Sequence, residues 1–240
     1  AVLAGAHEAG AETEILYLID EQPEPCIHCG HSCFSEGDCA QESEATLRSQ
    51  RLSRADALVL AAPVYCWQPN GLTAAFFDKI RLQTGPWTRG DQHGRPALGI
   101  AVAGGTGSGV FPALQSIYAW LCLWKFRPLD PLPVTRFNMD TILELGPALG
   151  RTLASHGREP FGAVWEQMLV YDALPYLDYG RVDEFRWLAE QIAAGLETRG
   201  EDAIEIRRHL QAGRDCAARD DRAGAAQHFV EAYQAGREAW

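Results

Sequence analysis

Residues 57–67 read ALVLAAPVYCW, and this stretch decides the fold. Ala57–Tyr65 is a continuous apolar run of strand length, which is typical of a parallel strand that is buried on both faces. The residues that follow, QPNG, are a turn signal. Ala97–Ala103 (ALGIAVA) is a second run of the same kind and leads into a glycine-rich turn. The two runs predict neighbouring strands of one buried sheet.

Helical patterns separate these runs. The predicted helices are Ser43–Arg54, Leu72–Leu82 and Val110–Trp124, and further strands are predicted at Thr13–Ile19 and Pro133–Phe137. Val110–Trp124 is apolar nearly all round, which indicates a buried helix. Alternation of strands and helices predicts an α/β fold with a doubly wound parallel sheet.

The chain changes character after residue 157. Residues 158–180 are rich in aromatic side chains, which would form a lid, a dimer contact or a packed crossover. From residue 181 onward the pattern is helical only, with an amphipathic stripe in residues 181–196 and two helices at Ala203–Ala217 and Arg222–Trp240. The sequence therefore predicts an α/β domain in residues 1–157, a connection in 158–180 and a helical extension in 181–240. The last two helices are spaced as in one tetratricopeptide repeat, but a single repeat cannot bury its own face, so a capping hairpin is favoured.

Composition and charge restrict the range of possible functions. The formal net charge of −11 argues against nucleic acid and anionic membranes as partners, because binding to phosphates requires cations. No apolar run is long enough for a transmembrane helix. The first residues, AVLAGAHEAGAE, have no basic region of a signal peptide and read as the second half of a helix, so we expect further residues upstream. Seven cysteines without a secretory signal predict a cytoplasmic protein with reduced thiols.

The segment Pro63–Trp67 closes the first apolar run. In an open α/β sheet, ligands bind outside the carboxyl ends of the strands. Backbone N–H groups of this loop suit the pyrimidine edge of an isoalloxazine ring, and Tyr65 or Trp67 suits its face. The alternative is an apolar strand end that packs under its own loop.

A second loop, Gly104-Gly105-Thr106-Gly107-Ser108-Gly109, follows the second run. Its glycines allow close approach of a ligand, and the helix that begins at Val110 is expected to add free N–H donors. It is not a dinucleotide fingerprint, because Val110 stands where a third glycine is needed. The alternative is a tight turn without a ligand.

Four cysteines, Cys26, Cys29, Cys33 and Cys39, lie close together in the sequence. Their thiolates suit an iron–sulfur cluster or a tetrahedral zinc ion, for which His28 and His31 are substitute ligands. The alternatives are unligated cysteines or a redox pair of Cys26 with Cys29.

Other polar residues give weaker signals. The histidines at positions 93, 156, 209 and 228 are isolated in the sequence and are interpreted as surface or core residues. Asp220-Asp221 is expected to cap a helix and not to bind a metal.

Three motifs, PCIHCGHSC with Cys39, APVYCW and FFDKI, resemble in this order the NADPH-dependent FMN reductase family and its iron–sulfur flavoprotein branch. The resemblance covers roughly residues 1–135. The sequence departs from the family in three ways: the phosphate loop ahead of the first helix is absent, the second cysteine gap holds three residues where two are usual, and QESE replaces an acidic pair after the last cysteine. The helix ending Asp78-Lys79, in place of Asp-Arg, is a smaller departure.

The resemblance implies a flavodoxin-like fold that binds FMN, takes electrons from NAD(P)H and passes them to a quinone, a flavin or a similar flat acceptor. It implies a homo-oligomer and no particular catalytic side chain. The FMN would contact Pro63, Val64, Tyr65, Cys66, Trp67, Gly104, Gly105, Thr106 and Gly107, and a 4Fe-4S cluster would be held by Cys26, Cys29, Cys33 and Cys39. Two other functions stay open: an electron carrier in which that cluster connects FMN to a redox partner protein, and a partner-binding module without flavin.

Overall fold

The computed structural model describes residues 1–30, 33, 39, 43–80 and 94–240. The predictions for His31, for Gln41-Glu42, for His93 and for the last two residues of the helix Leu72–Leu82 concern residues outside these ranges. The helices are α1 (Val2–Glu8), α2 (Leu18–Glu21), α3 (Ser43–Arg54), α4 (Gly71–Lys79), α5 (Val110–Leu123), α6 (Met139–Ser155), α7 (Val164–Asp172), α8 (Arg181–Thr198), α9 (Ile204–Ala218) and α10 (Arg222–Ala239). The strands are β1 (Leu58–Tyr65), β2 (Gln68–Pro69), β3 (Pro96–Ala103), β4 (Arg127–Pro128) and β5 (Leu132–Thr135).

The sheet is parallel except at one end. β3 lies in its middle and pairs in parallel with β1, β4 and β5, while β2 runs antiparallel to the end of β1. Helices flank this sheet, so the predicted α/β, flavodoxin-like fold is confirmed. β3 is buried along most of its length, as its apolar run predicts. β1 differs, because every second residue from Ala61 to Tyr65 is exposed and, apart from β2, no described strand pairs with its outer edge.

The predicted strand Thr13–Ile19 is wrong. Residues 13–17 have no regular structure, and the chain then forms the short helix α2. An apolar run becomes a strand only where another strand accepts its backbone hydrogen bonds, and no strand in the described part of the chain lies beside it. Ile15, Tyr17 and Ile19 are consequently exposed.

Helix α5 is the centre of the core, and its predicted burial is confirmed. Tyr118 of this helix fixes it to β3: its hydroxyl accepts a hydrogen bond from the N–H of Gly99 at 3.1 Å and donates to the carbonyl of Leu129 at 2.7 Å. A Cβ at position 99 would lie 2.4 Å from the Tyr118 ring, so only glycine permits this contact.

The aromatic connection packs on the same helix. The Tyr171 hydroxyl donates to the carbonyl of Phe126, and the ring of Tyr176 stacks on that of Phe111 at 5.2 Å. Trp165 and Leu169 on the outer side of α7 are exposed. The segment therefore acts as a packed crossover with an exposed apolar side.

The three C-terminal helices lie close to their predicted bounds and share the core of the sheet. The buried cluster that contains β3 and α5 continues into Leu188, Ile192 and Leu196 of α8, and from there into α9 and α10. The predicted division of the chain at residues 157 and 180 stays a prediction. Of the helices in the described ranges, none combines the length and apolar character needed to cross a lipid bilayer.

Candidate functional site

The two loops that the sequence singles out leave the sheet at the same edge. Pro63 of β1 pairs with Val102 of β3, and both parallel strands end within a few residues of this pair. Tyr65 is 65% exposed at the end of β1. At the end of β3, Gly104 and Gly105 face open space, because a Cβ added to either would meet no atom of the described residues within 4 Å. The result is an exposed ledge with an aromatic ring on one side and bare backbone on the other. The structure thus brings the nine predicted cofactor contacts to one edge of the sheet: Pro63, Val64, Tyr65, Cys66, Trp67, Gly104, Gly105, Thr106 and Gly107.

The turn between β1 and β2 is strained. Tyr65 pairs with Gln68, so Cys66 and Trp67 form a two-residue hairpin loop, and both have positive φ, at 51° and 65°. Such loops normally use Asn-Gly, and a larger residue in this region costs on the order of 1 kcal/mol or more. The Ser116 hydroxyl donates to the Gln68 side chain at 2.6 Å, and the Arg181 guanidinium lies 3.9 Å from the centre of the Trp67 ring. These contacts hold a conformation that the local sequence disfavours, as is common where a chain presents a binding surface.

Gly109 joins this turn to the glycine-rich loop. Its φ is 92°, and a Cβ there would lie 2.7 Å from Cα of Trp67. Glycine is therefore needed both for the backbone conformation and for the close contact of the two loops.

Glu184 of α8 occupies the start of helix α5. Its Oε1 accepts hydrogen bonds from the N–H groups of Gly109 at 3.0 Å and Phe111 at 3.1 Å, and the residue is only 3% exposed. Burial raises the pKa of Glu184, against the effect of these backbone hydrogen bonds. The expectation of free N–H donors at the start of this helix is wrong for these two groups, since a buried helix N-terminus needs an acceptor and α8 supplies it. Nothing in the local sequence near Gly109 could identify an acceptor so distant in the chain.

Two more side chains of the helical extension hold the glycine-rich loop. The Tyr233 hydroxyl of α10 donates to the carbonyl of Thr106 at 2.8 Å. A Cβ at Gly107 would lie 2.7 Å from Leu188 of α8. The extension therefore positions the loop, a role that the sequence did not reveal.

The four cysteines of the predicted metal site are accessible but not gathered. Cys26 and Cys29 are exposed, and Cys33 and Cys39 are half-buried. No three of the four sulfur atoms lie within 4.8 Å of one another. None of the seven cysteines, all of which are described residues, forms a disulfide. The ligand chemistry suits a cluster, but the positions of the sulfurs do not fit one.

Two of the histidines interpreted as isolated are neighbours in space. Nδ1 of His209 on α9 lies 3.1 Å from Oε2 of Glu231 on α10, and Nδ1 of His228 lies 3.0 Å from the same oxygen. The spacing His228-x-x-Glu231, which places both side chains on one helix face, is the signal that the sequence offered. His156 is exposed, which is the surface position of the two alternatives that the sequence left open. The predicted cap is confirmed, because the Asp221 carboxylate accepts a hydrogen bond from the N–H of Gly224 at 2.9 Å.

Comparison with known proteins identifies a family whose match includes the residues of the exposed ledge. The sequence profile of the family described as NADPH-dependent FMN reductase matches residues 1–128. An iron-sulfur flavoprotein of Methanosarcina thermophila is 28% identical over 122 residues, which are 50% of this chain and 62% of the relative. The iron-sulfur flavoprotein MJ1083 of Methanocaldococcus jannaschii is 31% identical over 99 residues, 41% of this chain and 51% of the relative. No solved structure matches the chain significantly.

The chain thus spans half to three fifths of the length of these two relatives. The matched residues include β1, β3 and both loops, whereas helices α8–α10 lie outside the match.

Proposed function

Since the chain belongs to the NADPH-dependent FMN reductase family, we propose that it is an FMN-dependent oxidoreductase that takes electrons from NAD(P)H and passes them to a quinone, a flavin or a similar flat acceptor. The exposed ledge formed by the ends of β1 and β3 is the observation that carries this proposal. It lies at the carboxyl ends of parallel strands, where open α/β sheets bind their ligands.

The residues of the ledge fit a flat cofactor. Gly104 and Gly105 leave room for a ring edge to reach backbone N–H groups, since no side chain in the described part of the chain occupies the space beside them. Tyr65 offers an exposed aromatic face, and Arg181 keeps Trp67 in place at the side. When bound, FMN supplies the acceptance of hydride and the onward transfer of electrons. The protein's contribution is orientation, so no acid or base side chain is required.

Contacts within the chain hold the glycine-rich side of the ledge in place without a ligand, and this favours binding. Glu184, Leu188 and Tyr233 hold the glycine-rich loop from the side opposite the open space. A loop that is already ordered loses little conformational entropy when it binds a ligand.

FMN binding is tested with a side chain placed on the ledge. Gly105→Val has room for its Cβ, so the fold is retained, but the added methyl groups occupy the space that the ring edge needs. We expect FMN affinity, measured by quenching of flavin fluorescence, to fall at least tenfold. Gly157→Val is the matched control, because a Cβ there also meets no atom within 4 Å among the residues that the structure describes, and the position is remote in sequence from both loops. Equal affinities in the two variants would contradict the assignment of the site.

Activity is tested with the protein purified without oxygen. Flavin absorption bands that bleach when NADH or NADPH is added support the reductase. A protein that stays colourless after FMN is supplied would refute it and leave the flavin-free partner-binding module.

A second candidate function is an electron carrier with a 4Fe-4S cluster at Cys26, Cys29, Cys33 and Cys39. Its support is the accessibility of these cysteines and the name iron-sulfur flavoprotein that the relatives carry. The segment would have to draw its sulfurs together around the cluster. After incubation with iron and sulfide, the carrier requires stoichiometric acid-labile sulfide that Cys29→Ser abolishes and Cys66→Ser, at an exposed cysteine outside the segment, retains. Equal sulfide in both variants speaks against it.

The proposed enzyme acts as a homo-oligomer. Trp165 and Leu169 on α7 are exposed and apolar, and surfaces of this kind commonly pack against another subunit. Light scattering of the purified protein measures its mass directly. A monomer at micromolar concentration would contradict this part of the proposal.

A further inference from the structure

Helices α9 and α10 bring three metal-binding side chains together on the helical extension. His209 lies on α9, and His228 and Glu231 lie one turn apart on α10. The two helices pack closely, because a Cβ at Gly213 of α9 would lie only 2.5 Å from the Phe229 ring of α10. This packing fixes their relative position. The three side chains therefore face each other as a consequence of tight helix packing.

The distances match those of a metal site. A ligand nitrogen or oxygen from each of the three side chains lies within 4.8 Å of the other two. The two N···O separations are 3.1 Å and 3.0 Å. A tetrahedral zinc ion with bonds of about 2.0–2.1 Å places its ligand atoms about 3.3 Å apart. Both N···O separations therefore lie within a few tenths of an ångström of the spacing that the ion requires.

The surroundings favour a cation. Glu205 and Glu238 line the same groove between α9 and α10, next to His209 and Glu231. Arg208 is the cation beside this cluster; its Nη2 lies 3.2 Å from Nε2 of His209, on the opposite side of the ring from Nδ1. The Arg208 side chain is 68% exposed and is also paired with Glu205, so it can turn toward solvent when Nε2 must carry the proton.

The second oxygen of Glu231 is already held. Its Oε1 accepts a hydrogen bond from the Gln227 amide at 2.8 Å, which orients the carboxylate with Oε2 toward the two imidazoles. Carboxylate orientation by a hydrogen bond from an outer side chain is a common feature of metal sites. All three ligand side chains are partly exposed, so an ion reaches them from solvent.

We propose that His209, His228 and Glu231 bind a divalent transition-metal ion of the zinc type. Two imidazoles and a carboxylate are ligands that zinc favours, and three protein ligands leave the fourth tetrahedral position to water. Each imidazole binds the ion through Nδ1 and carries its proton on Nε2, so the ion takes the place of the contacts between the imidazoles and the carboxylate. Because it connects α9 to α10, it stabilises the hairpin whose Tyr233 holds the glycine-rich loop.

The experiment counts tightly bound Zn²⁺ by competition with a chromophoric chelator in the full chain. We expect His228→Ala and His209→Ala each to bind one equivalent less than wild type. His156→Ala is the matched control, since His156 is exposed and lies outside the cluster, and it keeps that equivalent. The cysteine segment is present in all of these proteins, so any zinc it binds contributes equally to each count.

Glu231→Gln tests the ligand role of Glu231 in a variant that is expected to keep the fold. The amide has the shape of the carboxylate and still accepts hydrogen bonds, but as a neutral group it binds zinc at least tenfold more weakly. Zinc is expected to raise the melting temperature of wild type and His156→Ala, and to leave that of Glu231→Gln unchanged. Equal zinc counts in His228→Ala and His156→Ala, or a wild type that binds no zinc outside the cysteine segment, would overturn the proposal. Neither readout involves flavin, so this result is independent of the proposed reductase activity.

Discussion

The glycine-rich loop at residues 104–109 and the cysteine segment at residues 24–30 are both expected to bind a cofactor, yet the structure holds them in opposite ways. Glu184, Leu188 and Tyr233 contact the loop and hold it in place. Gly104 and Gly105 are its open positions in the described part of the chain. In the cysteine segment, residues 24–30 with Cys26 and Cys29 are all exposed, and Ile27 is 68% exposed although it is apolar; Cys33 and Cys39 are half-buried.

The difference shows that a ligand would play different parts at the two places. At the loop the conformational entropy of ordering is lost when the protein folds, so a ligand binds to a surface that is already formed. At the cysteine segment a metal or cluster would have to bring the sulfur atoms together as it binds, because metal binding is coupled to a change of conformation where the site is not preformed.

Amide hydrogen exchange should separate the two regions most strongly. The N–H groups of Gly109 and Phe111 are buried and bonded to Glu184, so they exchange only when α5 or α8 opens. We expect them to exchange about 10³-fold or more slowly than the amides of Ile27 and Cys29. Comparable rates would show that the loop is not ordered in advance.

Glu184→Ala should be the most destabilising of the substitutions considered. It leaves two buried N–H donors without an acceptor, and this should lower the free energy of unfolding by about 3 kcal/mol. Glu24→Ala, in the exposed cysteine segment, should change it by less than about 0.5 kcal/mol. Urea denaturation measures both, and similar losses would remove the contrast between the regions.

Tyr233→Phe removes one hydroxyl that donates to Thr106. We expect a loss of about 1 kcal/mol in the free energy of unfolding, the typical contribution of a buried hydrogen bond. The matched change Tyr17→Phe, at an exposed tyrosine that precedes the cysteine segment, should have no measurable effect. A null result for Tyr233→Phe would mean that α10 does not hold the loop.

The pH dependence of stability should show the smallest effect. Burial raises the pKa of Glu184 in the folded protein above the unfolded value of about 4.3, so the folded state binds the proton more tightly. The contribution of Glu184 to stability is therefore fully present below that pH and declines as the pH rises through the folded pKa. Glu184→Gln keeps an oxygen acceptor and does not titrate, so its stability relative to wild type should increase as the pH rises from about 4 toward neutrality. An unchanged difference across this range would show that the carboxyl does not titrate differently in the two states.

Patterns of local sequence predicted most of the elements. The bounds of α3 agree with the structure, and those of α5, α9 and α10 differ by at most one residue at either end, because periodicity and caps such as Asp221 are local features. The same kind of pattern failed at Thr13–Ile19, because a strand also needs a neighbouring edge, which local sequence does not report.

The residues of the candidate site also fall into those that local sequence predicted and those that it missed. The nine residues proposed to contact FMN follow two apolar runs, and their common edge follows from parallel pairing, so the sequence was enough to predict their proximity. Glu184 and the cluster of His209, His228 and Glu231 were missed. Each depends on a contact between elements that are far apart in the chain or on different helices.

The sequence alone thus determined the α/β class, most of the elements and the loops that form the exposed ledge, since periodicity and turn residues act over a few positions. Tertiary structure decided which groups remain available to a ligand. It assigned the N–H groups of Gly109 and Phe111 to a carboxylate of the same chain and brought two histidines to one glutamate. The physical reason is that burial obliges polar groups to find partners wherever packing brings them, regardless of their separation in the sequence.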